Sequence, residues 1–335
     1  MFEKNGPDNG LIQGKCISPC IASGYEKKRW SMADKMTSNL IPVIQRLKNE
    51  RDAVILAHNY QIPDVQDIAD FIGDSLELSR VAAAQKEPVI VFCGVNFMAE
   101  TAAILSPRKT VLLPAPDACC PMAEMITAGE VRLLRNRFPD AAVVCYVNTT
   151  ADVKAESDIC CTSANAVNVV ESLDARQILF IPDRNLGRYV ARFTKKEVLP
   201  WEGFCIVHDR FTAKEVTEAR RMHPGAEVLV HPECRPEVID LADHVFSTSG
   251  IIRHVGTGPA REYVIGTEAG ILHRIHKLYP DRAAYPLARH AVCVNMKKTT
   301  LSTVLSSLER MEPRIQVDTA IAARARTAIE RMLAV

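Results

Sequence analysis

One unit of this chain recurs three times, and each copy ends in a cysteine at the same place. Cys120 and Cys205 stand 85 residues apart, and Cys205 and Cys293 stand 88 apart. Other landmarks keep that period. The strand-like runs Ala53–Tyr60, Ala142–Asn148 and Glu227–Glu233 are each followed by a turn of small hydroxyl residues. Those turns are Gly73-Asp74-Ser75, Thr162-Ser163-Ala164-Asn165 and Ser247-Thr248-Ser249-Gly250. A second apolar run comes next in each copy: Val89–Gly94, Ile178–Asp183 and Tyr263–Glu268. A repeat this long is a whole α/β module, not a solenoid unit. Three equivalent cysteines facing one centre would make a three-thiolate metal site.

Each copy reads as strand, loop and helix, strand, helix, strand, helix. The helix entering the first is Leu40–Lys48, apolar at helical spacing. Equivalent helices are expected at Met125–Phe138, Ala213–Met222 and Leu301–Met311, stopping at or before Pro139, Pro224 and Pro313. Short apolar strands alternating with helices indicate parallel βαβ units. Val89–Phe92 is apolar on both faces, as buried parallel strands are. The expected fold is therefore α/β: three homologous three-layer αβα modules with short parallel sheets, around a pseudo-threefold axis with a central site. The modules are placed at residues 38–127, 128–212 and 213–300, with a C-terminal helical segment over 301–335. Residues 1–37 read as a poorly ordered polar extension. Its Cys16 and Cys20 read as free thiols, with a local metal clip as the alternative.

Bulk properties exclude some classes. A length of 335 residues suggests two or three domains. Apolar content of 47% and charged content of 24% are those of a soluble globular protein. A net charge of +1 gives no reason to expect a nucleic-acid or membrane-surface partner. No apolar run reaches the roughly 18 residues of a membrane span, and the start lacks a signal-peptide core. A cytoplasmic protein is expected, in which eleven cysteines are metal ligands, reactive thiols or core residues, not a disulfide frame.

Ligands of parallel sheets bind beyond the carboxyl ends of the strands. The polar tails His58-Asn59-Tyr60, Tyr146-Val147-Asn148 and His231-Pro232-Glu233 fall there, as do the three cysteines. There is no Cys-x-x-Cys and no ferredoxin-type run, so any metal site is assembled from distant segments. Cys119 and Cys120 compete for the first ligand position. Cys120 is preferred because it precedes Pro121-Met122-Ala123 at an expected helix start, where dipole and free N–H groups favour a thiolate. Cys93 and Cys145 read as core residues; Cys160, Cys161 and Cys234 lack counterparts in the other copies. Three thiolates suit zinc with a water, or a [4Fe–4S] cluster with one open iron. Spacing leaves both open.

These motifs occur with Cys120-Pro-Met-Ala, Pro182-Asp-Arg-Asn-Leu-Gly187, Trp201-Glu-Gly-Phe-Cys205-Ile-Val-His208 and Cys293-Val-Asn-Met-Lys-Lys298. Together, in order over roughly residues 40–300, they resemble the quinolinate synthase family, iron–sulfur enzymes of NAD biosynthesis. Some members carry two further cysteines shortly before the last ligand; here those positions are His290 and Leu287, so no thiol switch is expected there. The resemblance implies a [4Fe–4S] cluster held by Cys120, Cys205 and Cys293. It also implies the condensation of iminoaspartate with dihydroxyacetone phosphate, losing phosphate and two waters, to give quinolinate. An aspartate-oxidising enzyme is implied as the source of the imine.

Within that chemistry Glu233 is the expected general acid/base, with a raised pKa near an anionic substrate. His231, two residues away on the same side of an extended strand, binds a carboxylate or relays protons. His58, Tyr60, Tyr146 and Asn148 share this spacing and are read as catalytic or substrate-binding. Ser75, Ser163, Ser247 and Thr248 are read as holding phosphate or carboxylate at helix starts. The competing readings are helix caps for the hydroxyls, a satisfied buried histidine for His58 and a surface carboxylate for Glu233. Lys297 and Lys298 are left out of the site. His208, His223, His244, His254, His273 and His276 receive no role, and Pro182–Gly187 is read as a structural turn. The rival functions are a zinc lyase or aldolase on the same thiolates, and an iron–sulfur sensor. The sensor lacks a visible basic patch or helix-turn-helix pattern.

Overall fold

Helix signals and strand signals alternate along the whole repeat, and the backbone follows them. The computed structural model describes residues 39–335; the expected extension, with Cys16 and Cys20, lies outside the described residues. Twelve strands occur among the described residues: β1 (Ala53–His58), β2 (Phe71–Gly73), β3 (Val89–Cys93), β4 (Thr110–Leu112), β5 (Ala142–Tyr146), β6 (Ile159–Cys161), β7 (Gln177–Ile181), β8 (Glu197–Pro200), β9 (Glu227–Val230), β10 (His244–Val245), β11 (Glu262–Gly266) and β12 (Ala283–Pro286). They form three sheets of four, ordered β2-β1-β3-β4, β6-β5-β7-β8 and β10-β9-β11-β12. Every named strand pair is parallel. Three repeated α/β modules are therefore present, with one strand more in each than the three expected. The additional strands, β2, β6 and β10, have only two or three residues, too short to show any period.

Both faces of each sheet are covered. Val54, Leu56, Ile90 and Phe92 point into one core with the helices Ser75–Ala84 and Asn96–Leu105. Their neighbours Ile55, Ala57, Val89 and Val91 pack on the other side with Ile44 and Leu47, of the helix over residues 39–50. This two-sided burial is why the strands read as unbroken apolar runs. Leu301, Val304 and Leu308 of the helix Leu301–Arg310 join that same outer core of the first sheet. Beyond it, Ile315 donates its backbone N–H to Val111 and Leu113 donates to Pro313, so the returning chain lines the β4 edge. The last helix, Thr319–Ala334, packs on β6 and the helix Ala151–Ala155.

One device repeats at the amino end of all three sheets. The carboxylates of Asp70, Asp158 and Asp243 accept from the backbone N–H of Ile55, Val143 and Val228 at 2.8, 2.7 and 2.7 Å. Each also pairs with a base on the preceding helix: Lys48, Arg135 and Arg220. The device fixes the register of first and second strands and sets the three modules in residue-by-residue correspondence. The helices Ala128–Arg137, Ala213–Met222 and Leu301–Arg310 start at equivalent caps, Thr127, Thr212 and Thr300. Cys120 does not open the first of these. It precedes a single 3-10 turn, Pro121–Glu124, because Thr127 captures the helix start.

Candidate active site

The correspondence just described places His58, Tyr146 and His231 at one equivalent position and Tyr60, Asn148 and Glu233 two residues on. All six line one cavity at the carboxyl ends of the three sheets, together with Ser75, Ser163, Thr248, Cys120, Cys205 and Cys293. Ser247 is the exception among the sequence-predicted residues. Its Oγ accepts from the Gly250 N–H at 3.2 Å, capping the helix Thr248–Thr257, and it lies outside the cavity lining. Asp74 caps the helix Ser75–Ala84 in the same way, although it also lines the cavity. Capping therefore falls one residue before Ser75 and Thr248. At the equivalent turn, Ser163 Oγ sits 3.1 Å from His231 Nε2, and Thr248 Oγ1 sits 2.8 Å from the Tyr60 hydroxyl.

A hydrogen-bonded chain crosses all three modules. The Tyr60 hydroxyl lies 2.6 Å from Thr267 Oγ1, which lies 2.7 Å from His208 Nε2. His208 Nδ1 is 2.6 Å from Glu233 Oε2, and His231 Nδ1 approaches the same oxygen at 3.3 Å. The His208 and His231 rings stack with centroids 4.5 Å apart. The Tyr60 and Glu233 N–H groups donate to Nδ1 of His58 and His231, two residues before each. For the His58 ring that leaves Nε2 to carry the proton, whereas His231 Nδ1 faces both the Glu233 N–H and its carboxylate. Glu233 Oε1 and Asn148 Oδ1, at equivalent positions, are buried without a partner. Unpaired buried acceptors are costly, so two of them on one cavity mark where a bound molecule donates.

Burial lowers the pKa of His58 to about 4 and that of His231 in the same direction, so both favour the neutral ring. Burial raises the hydroxyls of Tyr60 and Tyr146 well above their ordinary range. Glu233 departs from expectation. Burial pushes its carboxyl up, but the charges and hydrogen bonds of His208 and His231 outweigh that and hold it well below the usual range. His231 favours the neutral form, so the 2.6 Å contact with His208 carries the pairing.

The cysteines also obey the repeat. Burial raises Cys120 to about 12 and raises Cys205 and Cys293 likewise. Each sulfur is opposed by main-chain N–H groups two and three residues on: Met122 and Ala123, Val207 and His208, Asn295 and Met296. Three thiols with this surrounding are poised for a cation, since coordination removes the thiol proton outright. Cys119 lies outside the cavity lining. Cys93, Cys145, Cys160, Cys161 and Cys234 are buried and also outside it.

Sequence reasoning missed five contributors. His208 joins Cys205, at 3.2 Å, to Glu233. Thr267 links it to Tyr60. Asp183 Oδ2 accepts the Cys205 N–H and Glu268 Oε1 accepts the Cys293 N–H, each at 3.1 Å. Lys297 sits 2.9 Å from Glu268, opposing the upward push of burial on that carboxyl. The signal for Asp183 and Glu268 was their equivalent place after β7 and β11; the first module has Val95 there.

Fold and cavity together define an α/β protein with a thiol-lined centre shared by three modules. The sequence pattern of the family described as "Quinolinate synthetase A protein" matches residues 42–334. A quinolinate synthase of Methanoregula boonei is 67% identical over 298 residues, covering 89% of this chain and 99% of its own. A quinolinate synthase of Desulforudis audaxviator is 56% identical over 300 residues, covering 89% and 99%. "Quinolinate synthase 2" of Methanosarcina acetivorans is 53% identical over 292 residues, covering 87% and 94%. The chain belongs to the quinolinate synthetase A family.

Proposed function

We propose that this chain makes quinolinate for NAD biosynthesis by condensing iminoaspartate with dihydroxyacetone phosphate, releasing phosphate and two waters. The observation that carries the reading is the threefold thiol cradle beside an unpartnered carboxylate oxygen in one cavity. The donor set fits a [4Fe–4S] cluster held by Cys120, Cys205 and Cys293. Thiolates of one zinc ion, with bonds near 2.3 Å, would sit roughly 3.8 Å apart. Among the described residues the three sulfurs do not gather within 4.8 Å of one another. When bound, such a cluster supplies a Lewis-acidic iron without a protein ligand.

The remaining roles belong to the chain. Ser75, Ser163 and Thr248 offer hydroxyls to phosphate or carboxylate. Asn148 and Glu233 offer acceptors to substrate N–H or O–H groups. Glu233 is the proton acceptor and donor, and His231, His208, Thr267 and Tyr60 provide a path along which that proton is exchanged. Tyr146 and His58, held neutral, donate hydrogen bonds to developing negative charge. The proposed module limits, 38–127, 128–212 and 213–300, adjoin the caps Thr127, Thr212 and Thr300. Nine free cysteines among the described residues suit a reducing cytoplasm. An aspartate-oxidising enzyme would supply the imine. Among the described residues no helix is long and apolar enough to cross a membrane.

A second reading is favoured by one contact set: Cys205, His208 and Glu233 offer donors within 4.8 Å, enough for a single zinc ion. Metal content decides. Protein purified without oxygen should carry iron and sulfide and should form quinolinate from the two substrates. Zinc without iron, or no quinolinate from iron-loaded protein, would overturn the proposal.

A further inference from the structure

We propose that Glu227, His244 and His254 form a second metal site, for a divalent transition metal of the zinc class, at the end of the third sheet remote from the cavity. Glu227 begins β9, His244 begins β10, and His254 lies in the helix Thr248–Thr257. Glu227 Oε2 is 2.7 Å from His254 Nε2 and 3.9 Å from His244 Nε2. The two rings have centroids 4.4 Å apart, and the three donor atoms all lie within 4.8 Å of one another. A tetrahedral centre with bonds of about 2.0–2.2 Å spaces its ligands at roughly 3.3 Å. The observed separations fall on either side of that value, so small side-chain rotations suffice.

The repeat supplies an independent argument. The aspartate device at the amino ends aligns Glu227, His244 and His254 with Val54, Phe71 and Val81 in the first module. In the second module the same positions are Ala142, Ile159 and Val169. Apolar side chains thus satisfy the fold at all three positions twice over. Only the third module replaces them, and it replaces all three with metal-ligating types at once. Two imidazoles and a carboxylate select zinc, cobalt or nickel over calcium or magnesium, which prefer all-oxygen shells. His244 keeps 41% of its side-chain surface exposed, leaving an approach for the ion and room for a water as fourth ligand. The bound ion would tie β9 and β10 to the helix whose first residue, Thr248, faces the cavity.

The test uses cluster-loaded protein, equilibrium dialysis against zinc chloride, and parallel iron assays. Wild type should retain roughly one zinc per chain more than His244→Phe or His254→Val, with equal iron in all three. These substitutions install the residues of the first module. Excess zinc should raise the thermal midpoint of wild type and not of the variants. If His254→Val fails to fold, His244→Gln at the exposed ring gives the same comparison. Zinc held at Cys16 and Cys20 would appear equally in every sample and cancel. Equal zinc uptake by wild type and variants, or uptake only as iron is lost, would overturn the site.

Discussion

The two ends of the three sheets treat the same repeat in opposite ways. At the amino ends the copies agree: Asp70, Asp158 and Asp243 make the same backbone hydrogen bond and the same pairing with a helix base. At the carboxyl ends they diverge, with histidine, tyrosine and histidine at one position and tyrosine, asparagine and glutamate two residues on. The first set is fully paired. The second leaves Asn148 Oδ1 and Glu233 Oε1 without partners. Sameness with satisfied polar groups holds the fold, and divergence with unsatisfied ones leaves capacity for a ligand. One feature of the cavity end, the N–H cradle around each cysteine, keeps the threefold sameness, as expected for ligands of a single shared group.

This contrast is open to attack by mutation. The largest effect is expected from the cysteines. Cys120→Ala, Cys205→Ala or Cys293→Ala should abolish iron–sulfur assembly and turnover, whereas Cys119→Ala should retain both; iron, sulfide and visible absorption report it. If Cys119→Ala lost the cluster instead, the threefold equivalence would fail. Glu233→Gln should keep the cluster spectrum and lower kcat about 10²–10⁴-fold. Turnover near wild type would move the proton chemistry to another group.

His58 sharpens the contrast through pH. Its folded pKa, about 4, is below the ordinary 6.5, so the native state binds fewer protons than the unfolded state between those values. The stability it contributes is present above pH 6.5 and is lost as pH falls towards 4, on the order of 3 kcal/mol. Denaturant melts of His58→Asn should show a flatter stability curve across that window. Ser163→Ala should weaken substrate affinity by roughly 10- to 150-fold, the worth of a charge-assisted hydrogen bond, with kcat less affected.

The smallest effect belongs to the remote end. Burial raises the Asp243 carboxyl, but Arg220 and the Val228 N–H outweigh it and lower the pKa. Its contribution is therefore present above about pH 3.9 and lost below it. Asp243→Asn, measured with a chelator present, should cost roughly 1–2 kcal/mol at neutral pH and leave kcat unchanged. A large loss of kcat would show that the two ends are not separable.

Much of the cavity was legible because strand ends announce themselves: an apolar run closing on His58-Asn-Tyr60 or His231-Pro-Glu233 says where the polar side chains face. The repeat then echoed each position. His208 escaped for the converse reason. It stands three residues after Cys205, and the residues three after Cys120 and Cys293 are Ala123 and Met296, so no echo drew notice. Its role comes from contacts with Thr267 and Glu233, far along the chain. Ser247 was misread as a cavity residue because a cap and a ligand hydroxyl look alike in sequence; only the Gly250 N–H distinguishes them. The pKa of Glu233 was misjudged because its direction depends on His208. The strands β2, β6 and β10 are carried by tertiary pairing, not by any pattern of their own.

The helix Leu301–Arg310 lies on the first sheet although nearly two hundred residues separate it from the sheet's last strand. During synthesis, then, the strands of all three modules are made while the outer face of the first, around Ile55 and Val91, still lacks Leu301, Val304 and Leu308. An early part of the chain is sealed late. Until Leu301, Val304 and Leu308 leave the ribosome, a nascent chain carries an uncovered patch of isoleucine and valine, the kind of surface on which chaperones act.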